Sequence, residues 1–283
     1  MIKTYNNLYM DIRGEFLRKG IEGASLEALE IVCAAADKDK SQFRRDAMLY
    51  AMPQVIEVAN RFKERRLVGE PVAYILGEWE FYSTRLFVDK DVLIPRADTE
   101  VLAKAAIDHI NNRPMRVLDL CTGSGCLAIA IAKNTINSSL VLADNSDKAL
   151  MVAKKNLRLH KLSTKAICAH LDALTPPPPM LGRFDLVVCN PPYVRTEVIQ
   201  TLDHSVKNYE PMCALDGGPD GLEFYRRVAQ NYILAIKEGG TLMFECGFDQ
   251  SHQVHDIMAE NGYIEIEIIN DLQGIGRVVK GCL

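Results

Sequence analysis

The chain has 283 residues, 48% of them hydrophobic and 25% charged, with a formal net charge of −4. That length suits a catalytic domain plus a smaller one, and that composition excludes a disordered or fibrous protein. The slightly acidic balance offers no general attraction to a polyanion and disfavours nucleic acid as a direct substrate.

The first residues, MIKTYNNLYMDIRGEFLRKG, lack the apolar stretch of a signal peptide, and no run approaches the ~18 apolar residues of a membrane span. The eight cysteines (Cys33, Cys121, Cys126, Cys168, Cys189, Cys213, Cys246 and Cys282) form no CxxC pair and stand mostly in apolar runs. They read as reduced thiols of a cytoplasmic protein that has no membrane partner. From Ser25, taken as an N-cap, to about Leu67, apolar residues recur at helical spacing: Leu26, Leu29, Ile31 and Val32, then Met48, Leu49, Met52, Val55 and Ile56. Arg61, Lys63, Arg65 and Arg66 close this region as a solvated helix end or a docking patch. Residues 1–68 are thus predicted to form an N-terminal helical domain.

Between Gly69 and Pro95 the pattern becomes Pro, Gly, aromatic and alternating residues, which predicts a hairpin-like connector over 69–95. Over 96–283 helices and strands alternate, beginning with a helix from about Thr99 to Asn111, the signature of an α/β, doubly wound parallel sheet. The predicted strand cores are Val117–Leu120, Leu140–Ala143, Ala166–Ala169, Leu186–Cys189 and Thr241–Phe244, followed by Tyr263–Ile269 and Arg277–Lys280.

Val117–Ala132, VLDLCTGSGCLAIAIA, reads as a strand, a loop of small residues and a helix, the context a nucleotide loop requires. Gly123 and Gly125 let the backbone approach a ligand, and the following helix N-terminus supplies unpaired N–H groups. Asp144 ends the next strand about twenty residues on, where an acid either reaches ribose hydroxyls or caps the helix near Ser146. These parts serve NAD as well as S-adenosylmethionine, and Ala128 at the third glycine position of GxGxxG discriminates only mildly. Asp119, inside the strand before the loop, would repel a pyrophosphate but pair with the ammonium and sulfonium end of S-adenosylmethionine. Asp172 ends a further strand, placed to hold an adenine amino group itself or through Ala173, or else to lie in solvent. His252 and His255 stand three apart, but no cysteine or acid cluster completes a metal site.

Asn190, Pro191, Pro192 and Tyr193 directly follow the apolar run FDLVVC. Consecutive prolines fix the backbone and leave carbonyls pointed and free. The Asn190 side-chain oxygen and the Pro191 carbonyl can accept both hydrogens of a planar NH2 group, weakening its delocalisation and aiming its lone pair at a methyl donor. Tyr193 supplies a flat face for stacking.

Asn190–Tyr193 after FDLVVC, with DLCTGSG at Asp119–Gly125, resembles the class I methyltransferases that modify exocyclic NH2 groups. GEPVAYILGEWEFY, VLIPRADTE (Val92–Glu100), EPMCALDGGPDGLEFYR (Glu210–Arg226) and GGTLMFECGFDQ (Gly239–Gln250) narrow the resemblance to the bacterial peptide chain release factor glutamine methyltransferases. That resemblance implies a seven-stranded, Rossmann-like methyltransferase sheet behind an N-terminal helical domain that serves substrate recognition. It implies transfer from S-adenosylmethionine, leaving S-adenosylhomocysteine, to N5 of the glutamine in the Gly-Gly-Gln motif of class 1 release factors. It also places the cofactor contacts at Cys121, Thr122, Gly123, Ser124, Gly125, Asp144, Ala173 and Asn190, with Asn190–Tyr193 holding the glutamine. Cys121 replaces the family's usual loop glycine, which fits if its φ is negative; Ala173 replaces a frequent aromatic, and Ala97 a proline. The alternatives are a glutamine methyltransferase of a ribosomal protein, a nucleic-acid amino methyltransferase, and a silent S-adenosylmethionine-binding module.

Overall fold

The computed structural model describes residues 2–283, which divide into two compact units. One comprises the chain through Gly77 together with His204–Tyr209; the other comprises Glu78–Asp203 and Glu210–Leu283.

The first unit is helical: α1 (Tyr5–Arg18), α2 (Ala24–Ala35), α3 (Lys40–Asp46), α4 (Pro53–Leu67) and α5 (Val72–Leu76). In α1, Leu8, Ile12 and Phe16 recur every four residues and are buried, and the Thr4 side chain accepts the Asn7 N–H as N-cap. The sequence reading left this helix out, although the same four-residue spacing carries it. Ser25 is not an N-cap: α2 begins one residue earlier, and the Ser25 hydroxyl accepts from Arg13 Nε at 2.7 Å. Asp39 and Gln42 close a capping box on α3, and Pro53 opens α4, where a missing N–H costs nothing. In the basic run at the end of α4, Arg61 is exposed, but the other three residues are held in ion pairs. Lys63 pairs with Glu15, Arg65 with Glu70 and Arg66 with Glu27, locking α4 to its neighbours.

The second unit opens with an antiparallel hairpin, β1 (Glu78–Phe81) and β2 (Thr84–Phe87). The hairpin occupies only part of the predicted connector, whose start is the helix α5. There follow α6 (Thr99–Ile110), β3 (Arg116–Leu120), α7 (Cys126–Asn134), β4 (Ser139–Asp144), α8 (Asp147–Leu159), β5 (Ala166–His170) and β6 (Phe184–Cys189). After α9 (His204–Tyr209), which belongs to the helical unit, come α10 (Glu223–Asn231), β7 (Ile236–Glu245), α11 (Ser251–Glu260), β8 (Ile264–Asn270) and β9 (Gly276–Cys282).

The sheet has seven strands in the order β5-β4-β3-β6-β7-β9-β8; β9 alone runs antiparallel to its neighbours. Both faces are covered, so the central strands read as continuous apolar runs. Val117, Leu140, Leu142, Leu186 and Val188 pack on one face with residues of α6 and α7, whereas Leu118, Leu120, Val141, Val187 and Cys189 pack on the other with residues of α10 and α11. The chain winds outward from β3 through β4 to β5, then returns to the other side of β3 as β6 and β7. That reversal opens a crevice at the carboxyl ends of β3 and β6, the place where open α/β sheets bind ligands. No helix among the described residues is long and apolar enough to cross a membrane.

Candidate active site

At the end of β3 the loop Cys121–Gly125 turns into α7. Thr122 N donates to Ala143 O at 3.0 Å and Gly125 N to Thr122 O at 2.9 Å, which fixes the loop against β4 and folds it on itself. Asp144, last in β4, accepts Gly123 N on Oδ2 (2.9 Å) and Ser146 N on Oδ1 (3.0 Å). Burial raises its pKa and these backbone N–H groups lower it, the first effect prevailing. Gly123 has φ +53°, and a Cβ built there meets nothing within 4 Å, so the loop turns a bare backbone toward open space. Cys121 has φ +61°, not the negative value expected of a non-glycine residue; the left-handed conformation costs roughly 1–2 kcal/mol for a residue with a Cβ.

Beneath the loop lies Asp119, wholly buried. Its Oδ2 accepts the Thr122 hydroxyl and Ala128 N (3.2 Å), while Oδ1 has no partner. Burial pushes its pKa up to about 7 against these hydrogen bonds. The buried Asn156 of α8 braces the loop from another direction: its Nδ2 donates to Ser124 O and to Phe87 O, both at 2.9 Å, and its Oδ1 accepts Phe87 N at 2.7 Å.

At the end of β6, Asn190–Tyr193 is clamped on its far side. Val194 exchanges backbone hydrogen bonds with Leu215 and Gly217, both 2.9 Å, and Gln250 Nε2 donates to Tyr193 O at 3.0 Å. A Cβ on Gly217 would lie 2.7 Å from Tyr193 Cα, so glycine is required for this approach. Asn190 Nδ2 donates to Thr99 Oγ1 at 3.3 Å, at the start of α6. Burial raises the Tyr193 hydroxyl pKa and keeps the phenol neutral.

Both segments line one cavity of about 860 Å³, open solvent at its mouth included. Of the residues singled out in the sequence, Cys121, Thr122, Gly123, Ser124, Asp144, Ala173, Asn190 and Pro192 line it. Asp119, Gly125, Asp172, Pro191 and Tyr193 are not on its wall. Gly125, at φ +81°, is the turn into α7; Asp172 is exposed, and its Oδ1 accepts Leu174 N at 2.9 Å. The sequence reading did not place Thr99, Leu127, Leu171 and Phe224 on the wall. Arg96 also lines the cavity and is ion-paired with the buried Glu210. Glu210 also accepts Ile94 N at 3.1 Å, whereas Glu100 accepts Tyr82 N at 2.8 Å. No local signal joins Arg96 to a residue so distant in sequence. Among the described residues no group of His, Cys, Asp or Glu is placed to hold a metal ion.

Comparison with known proteins adds the decisive observation. A release factor glutamine methyltransferase of Thermodesulfovibrio yellowstonii is 37% identical over 256 residues, covering 89% of this chain and 90% of the relative. The chain belongs to the release factor glutamine methyltransferases. The family's member from Caulobacter vibrioides is also 37% identical, over 93% of this chain and 90% of its own length. Two domain families match in agreement: the PrmC N-terminal domain over residues 8–77 and the methyltransferase small domain over 98–206. The catalytic domain of hMettl16, solved with an RNA hairpin, superposes with a TM-score of 0.59 at 14% identity, covering 78% of this chain and 81% of that one; this likeness concerns the fold alone.

Proposed function

We propose that this chain transfers a methyl group from S-adenosylmethionine to the side-chain amide nitrogen N5 of the glutamine in the Gly-Gly-Gln motif of class 1 release factors. The observation that carries the reading is the cavity shared by two strand ends, with Asp144 and the bare Gly123 backbone on one wall and the Asn190 carboxamide on the other.

The first wall fits a nucleoside. Each oxygen of Asp144 takes one backbone N–H and retains a lone pair, suiting the carboxylate to the two ribose hydroxyls. Leu127, Leu171 and Ala173 give apolar surface for the adenine, with no aromatic at 173 to stack on it. Asp119, lying below the loop, supports this site by holding Thr122 and Ala128 instead of by touching the ligand. S-adenosylmethionine, when bound, supplies an electrophilic methyl group on a positively charged sulfur.

The second wall orients the nucleophile. Asn190 Oδ1 and the Pro191 carbonyl accept the two hydrogens of the glutamine NH2, so that the lone pair leaves the amide plane and is aimed along the line of attack. Tyr193, neutral and off the cavity wall, backs this segment, and its ring would meet the planar amide only once the glutamine enters beyond Asn190. A nitrogen that has lost its amide resonance on methylation releases a proton to water without a strong base. Orientation of this kind is worth roughly 7–11 kcal/mol in a two-reactant step.

The helical unit takes the role of docking the body of the release factor. Its support is the match to the PrmC N-terminal domain and the exposed run Met48, Leu49, Tyr50 and Met52. Tyr50→Glu is then expected to raise KM for whole release factor while leaving a short Gly-Gly-Gln peptide unaffected.

The test of the activity is incubation with S-adenosylmethionine and a class 1 release factor, followed by peptide mass spectrometry. A methyl on the Gly-Gly-Gln glutamine that disappears in Asn190→Ala supports the reading; cofactor binding without any methyl on the factor overturns it.

A further inference from the structure

Glu245, the last residue of β7, is the second fully buried acid of the catalytic unit and lies off the cavity wall. Its Oε2 has no partner among the described residues. Cys189 and Phe244 are partners in the register of β6 and β7, so Glu245 and Asn190 follow side by side at the two strand ends, and the Thr99 hydroxyl and the Asn190 side-chain amide are the neighbours that pull the Glu245 pKa down. Thr99 in turn accepts Asn190 Nδ2 at 3.3 Å. A carboxylate behind these two residues can only accept, so it orders them in one direction: the Asn190 amide hydrogens point toward Thr99 and Glu245, and Thr99 turns its hydroxyl hydrogen toward Glu245.

We infer that Glu245 is a positioning residue for the methyl transfer: through Thr99 its carboxylate holds the Asn190 carboxamide with the nitrogen inward and Oδ1 toward the acceptor. The inference rests on the glutamine reading above and supplies what that reading lacks. A carboxamide is nearly symmetric in shape, and a half-turn about its last bond would present NH2 to the substrate NH2, two donors facing each other. Nothing in Asn190 itself forbids that. An acceptor-only group behind it does.

The same geometry makes the site sensitive to pH. A protonated Glu245 becomes a donor and can stabilise the flipped carboxamide. Burial pushes its pKa up to about 7, against the pull of Thr99, Arg277 and Asn190. The other titratable or charged groups that face it are Asp98 just before α6, Cys126 at the start of α7, Cys246 directly after β7, Tyr193 after β6 and Tyr225 on α10. Burial moves both cysteines and both tyrosines upward, away from neutrality. The competent form is the ionised one, so kcat rises as pH increases through about 7.

The experiment measures kcat and KM for release factor against pH with the full chain. Glu245→Gln is expected to lower kcat about 10- to 100-fold, the worth of one hydrogen bond to a charged group, with KM nearly unchanged and the limb near neutral pH gone. Thr99→Val lowers kcat in the same way, and Thr99→Ser restores it. Retention of both kcat and the limb in Glu245→Gln overturns the inference. A readout on the wild-type protein covers a variant that fails to fold and separates this inference from the glutamine reading. The Asn190 side-chain amide signals, assigned by their loss in Asn190→Asp, should shift in NMR spectra as pH passes through about 7. If they do not move, Glu245 does not govern Asn190, whether or not the wild-type enzyme methylates the factor.

Discussion

At the end of β3 the cavity is lined by a loop whose turn is fixed by backbone hydrogen bonds, whereas at the end of β6 it is lined by Asn190, whose side-chain carboxamide is held through Thr99. Each end has a buried acid behind it with one unpartnered oxygen, and burial pushes each to about 7. Asp119 grips a backbone turn through Thr122 and Ala128; Glu245 faces one rotatable carboxamide and the hydroxyl beside it. A turn fixed by several hydrogen bonds tolerates changes of side chain, while a site resting on one rotamer does not. The cofactor end should therefore respond to mutation in affinity and stability, and the acceptor end in rate.

The largest expected effect follows directly. Asn190→Ala should lower kcat by about 10²- to 10³-fold, the usual cost of deleting one preorganised polar contact to a reacting group. Calorimetric titration with S-adenosylmethionine should show a much smaller change in affinity, and a comparable loss in both would erase the distinction between the two ends. Next comes Asp144→Asn. An amide has one oxygen where the carboxylate uses two, so either Gly123 N or Ser146 N is orphaned, and the same titration should show affinity falling about 10- to 100-fold.

Smaller effects concern folding. Burial raises the folded-state pKa of Asp119 from the ordinary carboxylate value to about 7. In that interval the folded chain binds a proton that the unfolded chain has released, so the contribution of this group to stability is greatest below about 4 and falls as pH rises toward 7. Urea unfolding of Asp119→Asn at a series of pH values should show a flatter decline than wild type over this window; an identical slope would mean that Asp119 is ionised throughout. The smallest change is Cys121→Gly. Removing a Cβ at φ +61° should raise stability by about 1 kcal/mol, read as a shift in the urea midpoint, with the cofactor loop otherwise unchanged.

Much of the architecture was legible because burial on both faces of a parallel sheet leaves uninterrupted apolar runs. Val117–Leu120 and Leu186–Cys189 lie within β3 and β6, with β6 starting two residues earlier than read. The loop glycines and NPPY announced themselves because glycine and proline constrain the backbone wherever they stand. Contacts made by ordinary residues from distant parts of the chain were not legible. Glu210 pairs with Arg96 from across 114 residues, and the adjacency of β6 and β7 sets Glu245 beside Asn190; no local pattern encodes either. Asp119 shows the opposite failure: its neighbourhood in sequence suggested a ligand contact, but residues of a buried strand alternate between two covered faces, and the carboxyl ends below the loop. At Cys121 the condition of a negative φ is not met, because φ is set by the turn and not by the residue occupying it.

Asn156 joins β2 to the cofactor loop through a single carboxamide, fully excluded from solvent. An opening in which the Asn156 carboxamide turns away frees both the Phe87 amide and Ser124 O, so movements of that side chain couple the hairpin edge to the loop in a local opening equilibrium. Ligand held by the loop would draw on that equilibrium from the other end, and the Phe87 amide should exchange its hydrogen with deuterated water more slowly once the nucleoside pocket is filled. The hairpin strand would thereby report occupancy of a pocket whose wall does not include it.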